Sequence, residues 1–94
     1  MKYKVKGNVL EIIEPIITIK DADEIITVLE KLGSEYDNIT VQVKNSFSFP
    51  SSIIAKLEKL KDKGKTIKIV VSDDIVYELF KDLNLDKIFH VVKG

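Results

Sequence analysis

Thr66-Ile67-Lys68-Ile69-Val70-Val71-Ser72-Asp73-Asp74-Ile75-Val76-Tyr77-Glu78-Leu79-Phe80 is the stretch on which the fold turns. Its first six residues are rich in β-branched side chains and bounded by polar ones, a run of the length and composition of a strand inside a sheet. With Ile67, Ile69, Val70 and Val71 so close together, both faces of that strand are expected to be covered, which places it centrally. The period then changes. Ser72 can cap a helix, Asp73 and Asp74 fall in its first turn against the positive end of the dipole, and Ile75, Val76, Leu79, Phe80 and Leu83 recur at helical spacing as its buried face. Asn84 supplies the stop. A strand that feeds directly into an amphipathic helix is the beginning of a βαβ unit, so the neighbouring segments are expected to repeat the alternation.

They do, in both directions. Ser51 to Lys63 sets Ile54, Leu57 and Leu60 on one stripe with Gly64 as its stop, and Asn38 to Val43 alternates Ile39, Val41 and Val43 with polar residues as a half-buried strand does. Further back, Asp21 opens a helix with Glu24 three residues on as a capping-box pair, Ala22, Ile25, Ile26, Leu29 and Leu32 share a face, and Gly33 ends it. Ile16 to Ile19 reads as strand-like, confined by Pro15 to an edge, a bulge or a strand start. Tyr3 to Val5, the turn Gly7-Asn8, and Val9 to Ile13 read as a hairpin. Beyond Asn84, Ile88 to Val92 reads as the last strand. The expected fold is therefore a single α/β domain over residues 1–94, with a mostly parallel sheet of four or five strands and three main helices starting near Asp21, Ser51 and Ser72.

Bulk composition agrees with one packed domain. The 94 residues are 45% hydrophobic and 32% charged, with a formal net charge of zero and no cysteine, which removes disulfide frameworks and thiolate chemistry and fits a reducing compartment. Behind Met1-Lys2-Tyr3-Lys4-Val5-Lys6 there is no long apolar run, so neither a signal peptide nor a membrane span is expected and cytoplasm is the default. Six lysines between Lys56 and Lys68 stand against Glu58 and Asp62, whereas Asp21 to Asp37 carries six acids against Lys31. The lysine cluster lacks arginine and stacking aromatics, so it reads as a solvated helix face rather than a nucleic-acid site.

The catalytic inventory is thin. His90 is the only histidine and falls in the last strand as a structural residue. Asp73 and Asp74 are adjacent and do not face each other on a helix, so a helix-start role accounts for them. Asp21-Ala22-Asp23-Glu24 lacks the glycine and distal glutamate of a calcium loop, and the isolated glycines form no phosphate loop. No metal, cofactor or catalytic set is expected.

The most distinctive segment is Val41-Gln42-Val43-Lys44-Asn45-Ser46-Phe47-Ser48-Phe49-Pro50-Ser51-Ser52-Ile53-Ile54-Ala55-Lys56-Leu57. It resembles the core of STAS domains (sulphate transporter and anti-sigma-factor antagonist), in which a strand leads into Asp-Ser-Ser/Thr-Gly-Leu at a helix start. Lys65 to Val71 and Val76-Tyr77-Glu78-Leu79-Phe80-Lys81-Asp82-Leu83-Asn84-Leu85-Asp86-Lys87-Ile88-Phe89 resemble that family's following strand and its C-terminal pattern. The resemblance implies a non-catalytic regulatory module that binds a protein partner such as an anti-sigma kinase. It matches Ser51 to the serine phosphorylated in antagonist members and Ser52 to the second hydroxyl, while Pro50 and Ile53 replace the family's Asp and Gly. Read from the residues alone, Ser51 or Ser52 caps the second helix with Pro50 at its threshold. The N-terminal domain of the bacterial septum-site inhibitor is a second, weaker resemblance, which would make the chain part of a cell-division complex. A small-ligand or lipid-binding domain, marked by an enclosed apolar cavity, is the competing class.

The docking surface is expected at Ser46, Phe47, Ser48, Phe49 and Pro50, continuing onto the exposed side of the second helix at Lys56 and Lys59. Two aromatics in a polar loop are either core plugs or interface anchors.

Overall fold

The computed structural model describes residues 2–44 and 49–94. Strands β1 (Tyr3–Lys6) and β2 (Val9–Ile12) form an antiparallel hairpin, closed at Gly7, whose φ of +57° is cheap only for a residue without a Cβ. There follow α1 (Ile19–Glu35), β3 (Asn38–Val43), α2 (Ser51–Asp62), β4 (Thr66–Val71), α3 (Asp74–Asp82), a 3-10 turn over Leu85–Lys87 and β5 (His90–Lys93). The strands lie in chain order, β1-β2-β3-β4-β5, and every pairing after the hairpin is parallel. The domain is thus a small α/β fold with a five-stranded, mostly parallel sheet and three helices.

Because consecutive strands are neighbours, each helix bridges a single strand spacing. Right-handed crossovers then carry all three helices to the same face of the sheet. Burial follows that geometry: Leu10, Ile12, Ile39, Val41, Val43, Ile67, Ile69 and Val71 are buried beneath the helices, against Ile25, Leu29, Ile53, Leu57, Val76 and Phe80. Among the described residues no helix covers the other face. Register aligns Lys6, Val9, Thr40, Lys68 and His90 across it in one row and Lys4, Glu11, Gln42, Val70 and Val92 in the next.

This one-sided layering corrects the expectation for Thr66 to Val71. The strand is interior, between β3 and β5, but Thr66 and Lys68 are exposed and Val70 is only half-buried. The middle of the sheet is β3. Val70 disguised a plain alternation of inward Ile67, Ile69 and Val71 with outward residues.

Helix ends differ from the sequence reading for equally local reasons. α1 starts at Ile19 rather than Asp21, because Thr18 is the N-cap: its Oγ1 accepts from the N–H of Asp21 at 3.0 Å, and Asp21 Oδ2 accepts in return from the N–H of Thr18 at 3.3 Å. Asp21 holds the N3 position, the last residue of that capping box, instead of its first. The segment from Ile16 to Ile19 is consequently no strand; Ile16 enters the core and the rest is helix threshold. α3 starts at Asp74 rather than Ser72, since the Asp73 carboxylate accepts from the N–H of Ile75 at 2.7 Å. The last strand begins at His90 rather than Ile88, after Asn84 in the left-handed region (φ 58°) has turned the chain into the 3-10 segment.

Gly33 does not end α1, which runs on to Glu35. It is buried, and a Cβ placed on it would stand 2.6 Å from Leu60 Cδ2. Its role is to let α1 and α2 approach. Gly64, at φ +91°, does act as the stop foreseen for α2.

α3 departs most from expectation. Of the five apolar residues assigned to its buried face, only Val76 and Phe80 are buried; Ile75 is 72% exposed, Leu79 39% and Leu83 54%. Five such residues wrap farther round a helix than the strip that a single sheet face can cover.

Candidate functional site

The C-terminal ends of β2 and β3 and the N-termini of α1 and α2 meet on one edge of the sheet, the edge where open parallel sheets commonly bind ligands. β2 ends at Ile12, ahead of Pro15, and Ile17 and Ile19 emerge on either side of the Thr18 cap. They are 81% and 83% exposed. With Ala22, Asp23, Pro50 and Ser52 they line an apolar depression of about 310 Å³ that opens to solvent.

Pro50 is the N-cap of α2, with φ −57° and ψ 141° and no side-chain hydrogen bond to give. Ser51 and Ser52 are therefore the first two residues of the helix rather than its cap, and both are exposed. That arrangement corrects the capping role read from the residues. It leaves both hydroxyls at the surface, in the turn where free backbone N–H groups favour an added anion.

Phe49 is half-buried and packs edge-on against Phe80, ring centroids 5.3 Å apart at 72°. It is a partial core plug that ties the entry of α2 to the inner side of α3. Ser46, Phe47 and Ser48 lie outside the described residues. Lys56 is half-buried and its Nζ sits 3.2 Å from Glu30, so it bridges α2 to α1 instead of standing free on a docking face; Lys59 is exposed as expected. The structure thus gathers Pro50, Ser51 and Ser52 at one place, adds Ile17 and Ile19, and assigns Lys56 to helix packing.

The candidate chemical groups are dispersed. His90 is exposed on the edge strand β5, Asp73 caps α3, and Asp74 pairs with Lys93, whose ammonium is held above its ordinary pKa by that hydrogen bond. Among the described residues no cluster of three or more His, Asp or Glu side chains is placed to hold a metal ion. Among the same residues no helix is long and apolar enough to cross a membrane. Compared with family models, curated proteins and solved structures, the chain matches none closely enough to identify a relative.

Ile17 and Ile19 are the residues that the sequence reading missed. Their signal was present: two isoleucines flanking a threonine, just after a proline that forbids a regular strand, are too apolar for a solvated loop.

Proposed function

We propose that this is a divergent STAS-type domain that acts as a regulatory protein-binding module, docking its partner over Ile17, Ile19, Pro50, Ser51 and Ser52. The observation that carries the reading is the exposure of Ile17 and Ile19 beside Pro50 and Ser52. Two large aliphatic side chains held in water lose stabilisation of roughly 1.5–3 kcal/mol each that burial would provide, and a partner surface supplies that burial. The element order and the strand that leads into Pro50-Ser51-Ser52 support the family resemblance. Phosphorylation of Ser51 would then place charge inside the contact and release the partner.

A small apolar ligand is the competing occupant of the depression. Its openness to solvent favours a protein surface, because small-molecule sites bury most of the ligand.

Site-specific photocrosslinking in the source cells tests the proposal, with the crosslinker at Ser52 in one protein and at exposed Lys63 in another. A discrete protein adduct from position 52, absent from position 63 and abolished by Ile19→Lys, is the expected result. Equal adducts from both positions, or none from position 52, overturn it.

A further inference from the structure

α3 carries two parallel rows at its surface. Ile75, Leu79 and Leu83 recur every four residues, exposed by 72%, 39% and 54%. Asp74, Glu78 and Asp82 recur at the same spacing one position earlier, and all three are exposed. Ile75 and Leu79 line an open apolar groove walled by those acids. Residues four apart are neighbours on a helix surface, so the first row is a continuous apolar strip and the second an acidic rail beside it. Asp74 pairs with Lys93; Lys81, three residues after Glu78 and on the side of the rail away from the apolar strip, lies over the Tyr77 ring, 5.6 Å from its centroid.

We propose that this strip docks a basic amphipathic helix of a partner protein, its aliphatic row on Ile75, Leu79 and Leu83 and its lysines or arginines along Asp74, Glu78 and Asp82. Helix-in-groove binding needs an apolar row at helical spacing, and complementary charge fixes register and partner choice. The acids disfavour the other common occupants of an exposed apolar strip. An anionic lipid surface or a nucleic acid would meet carboxylates at each turn. A second copy of the same strip would set acids against acids. Nor does another helix of this chain fit: α2 is lysine-rich, but Ile53, Leu57 and Leu60 are already buried, and the exposed Ile19 of α1 is accompanied by Asp23. This surface is separate from the depression at Pro50 and Ser52, and the inference stands or falls independently of that reading.

Two synthetic 18-residue helical peptides test it, sharing one leucine row and flanked by lysine in one and by glutamate in the other. They are titrated into the methyl-labelled protein and followed by NMR. The lysine peptide is expected to shift the methyls of Ile75, Leu79 and Leu83 and to leave those of Ile17 and Ile19 in place. Glu78→Lys with Asp82→Lys, an exposed pair whose change leaves the core intact, should weaken its binding at least tenfold, and raised salt should weaken it in the wild type. The glutamate peptide should bind at least tenfold more weakly. Equal response to both peptides, shifts centred on Ile17 and Ile19, no shift at millimolar peptide, or α3 methyls that move with protein concentration alone each overturn the proposal.

Discussion

Replacing Gly33 by alanine sets two effects of known sign against each other. An alanine inside a helix is favoured over glycine by roughly 0.5–1 kcal/mol, because the backbone has less freedom to lose. Against this, the new Cβ would lie 2.6 Å from Leu60 Cδ2, whereas nonbonded carbons settle near about 3.5–4.0 Å, so Leu60 must withdraw by about 1 Å. Leu60 is buried and shares its surroundings with the α1–α2 contact, and overpacking of that kind costs about 1–3 kcal/mol. The steric effect wins: Gly33→Ala should destabilise the domain by about 0.5–2 kcal/mol. Leu60→Ala costs about 2–5 kcal/mol alone but removes the obstructing methyl. In that background Gly33→Ala should stabilise, by about 0.5–1 kcal/mol. Urea unfolding of the four proteins yields the coupling energy, expected at about 1–3 kcal/mol. Equal effects of Gly33→Ala in both backgrounds would refute close approach at Gly33 as its structural role.

Three further outcomes follow from the described contacts. Phe80→Ala should cost about 3–5 kcal/mol, as deletion of a buried ring does, and should move the ring resonances of Phe49, its edge-on neighbour; an unchanged Phe49 would contradict the packing. The N–H of Thr18, followed by that of Ile17, donates to the Asp21 carboxylate and holds its pKa below the ordinary 3.8 against the opposing pull of desolvation. A depressed folded pKa means stabilisation that is complete above the unfolded value and disappears as pH falls through the folded one. The stability difference between wild type and Asp21→Asn should therefore shrink below about pH 3.8, and a pH-independent difference would exclude the linkage. Ser51→Asp should leave the thermal midpoint of the isolated domain unchanged or slightly raised, since an anion in the first turn of α2 is favoured by roughly 0.3–1 kcal/mol. Binding of a partner crosslinked through position 52 should weaken on the order of a hundredfold, the cost of a desolvated and unpaired charge; binding that survives would separate Ser51 from the contact.

The elements whose periodicity reports one environment were legible. Asn38 to Val43 was read to the residue because each inward side chain alternates with a polar one, and Gly64 and Asn84 stop their helices through backbone conformations that other residues adopt at a cost. What the sequence could not carry was the side of each element that meets another. α3 offers five apolar residues, and only the placement of β4 and β5 beneath it decides that Val76 and Phe80 turn inward while Ile75, Leu79 and Leu83 do not. The same limitation hid the open face of the sheet, since β4 looks doubly covered until the crossovers are known to share one side. At the candidate site, Pro50, Ser51 and Ser52 were identifiable from local pattern, but Ile17 and Ile19 join them only through the meeting of two helix starts. Thr18 competed with Asp21 for the cap, and the winner was set by which side chain could exchange hydrogen bonds in both directions.

Strand order that follows chain order also bears on how the polypeptide is made. A parallel strand must wait for its neighbour, and in many sheets that neighbour is synthesised much later. Here every strand after the first finds its partner already emerged from the ribosome, separated from it by the hairpin turn or by one helical crossover. A nascent chain that has reached Val71 already contains four adjacent strands and two helices with which to cover them. α3, the 3-10 turn and β5 are then added at one edge. That final unit can attach and detach without disturbing the pairing of β1 to β4, so amide exchange in β5 is expected to run through a local opening while β3 exchanges only when the whole domain unfolds.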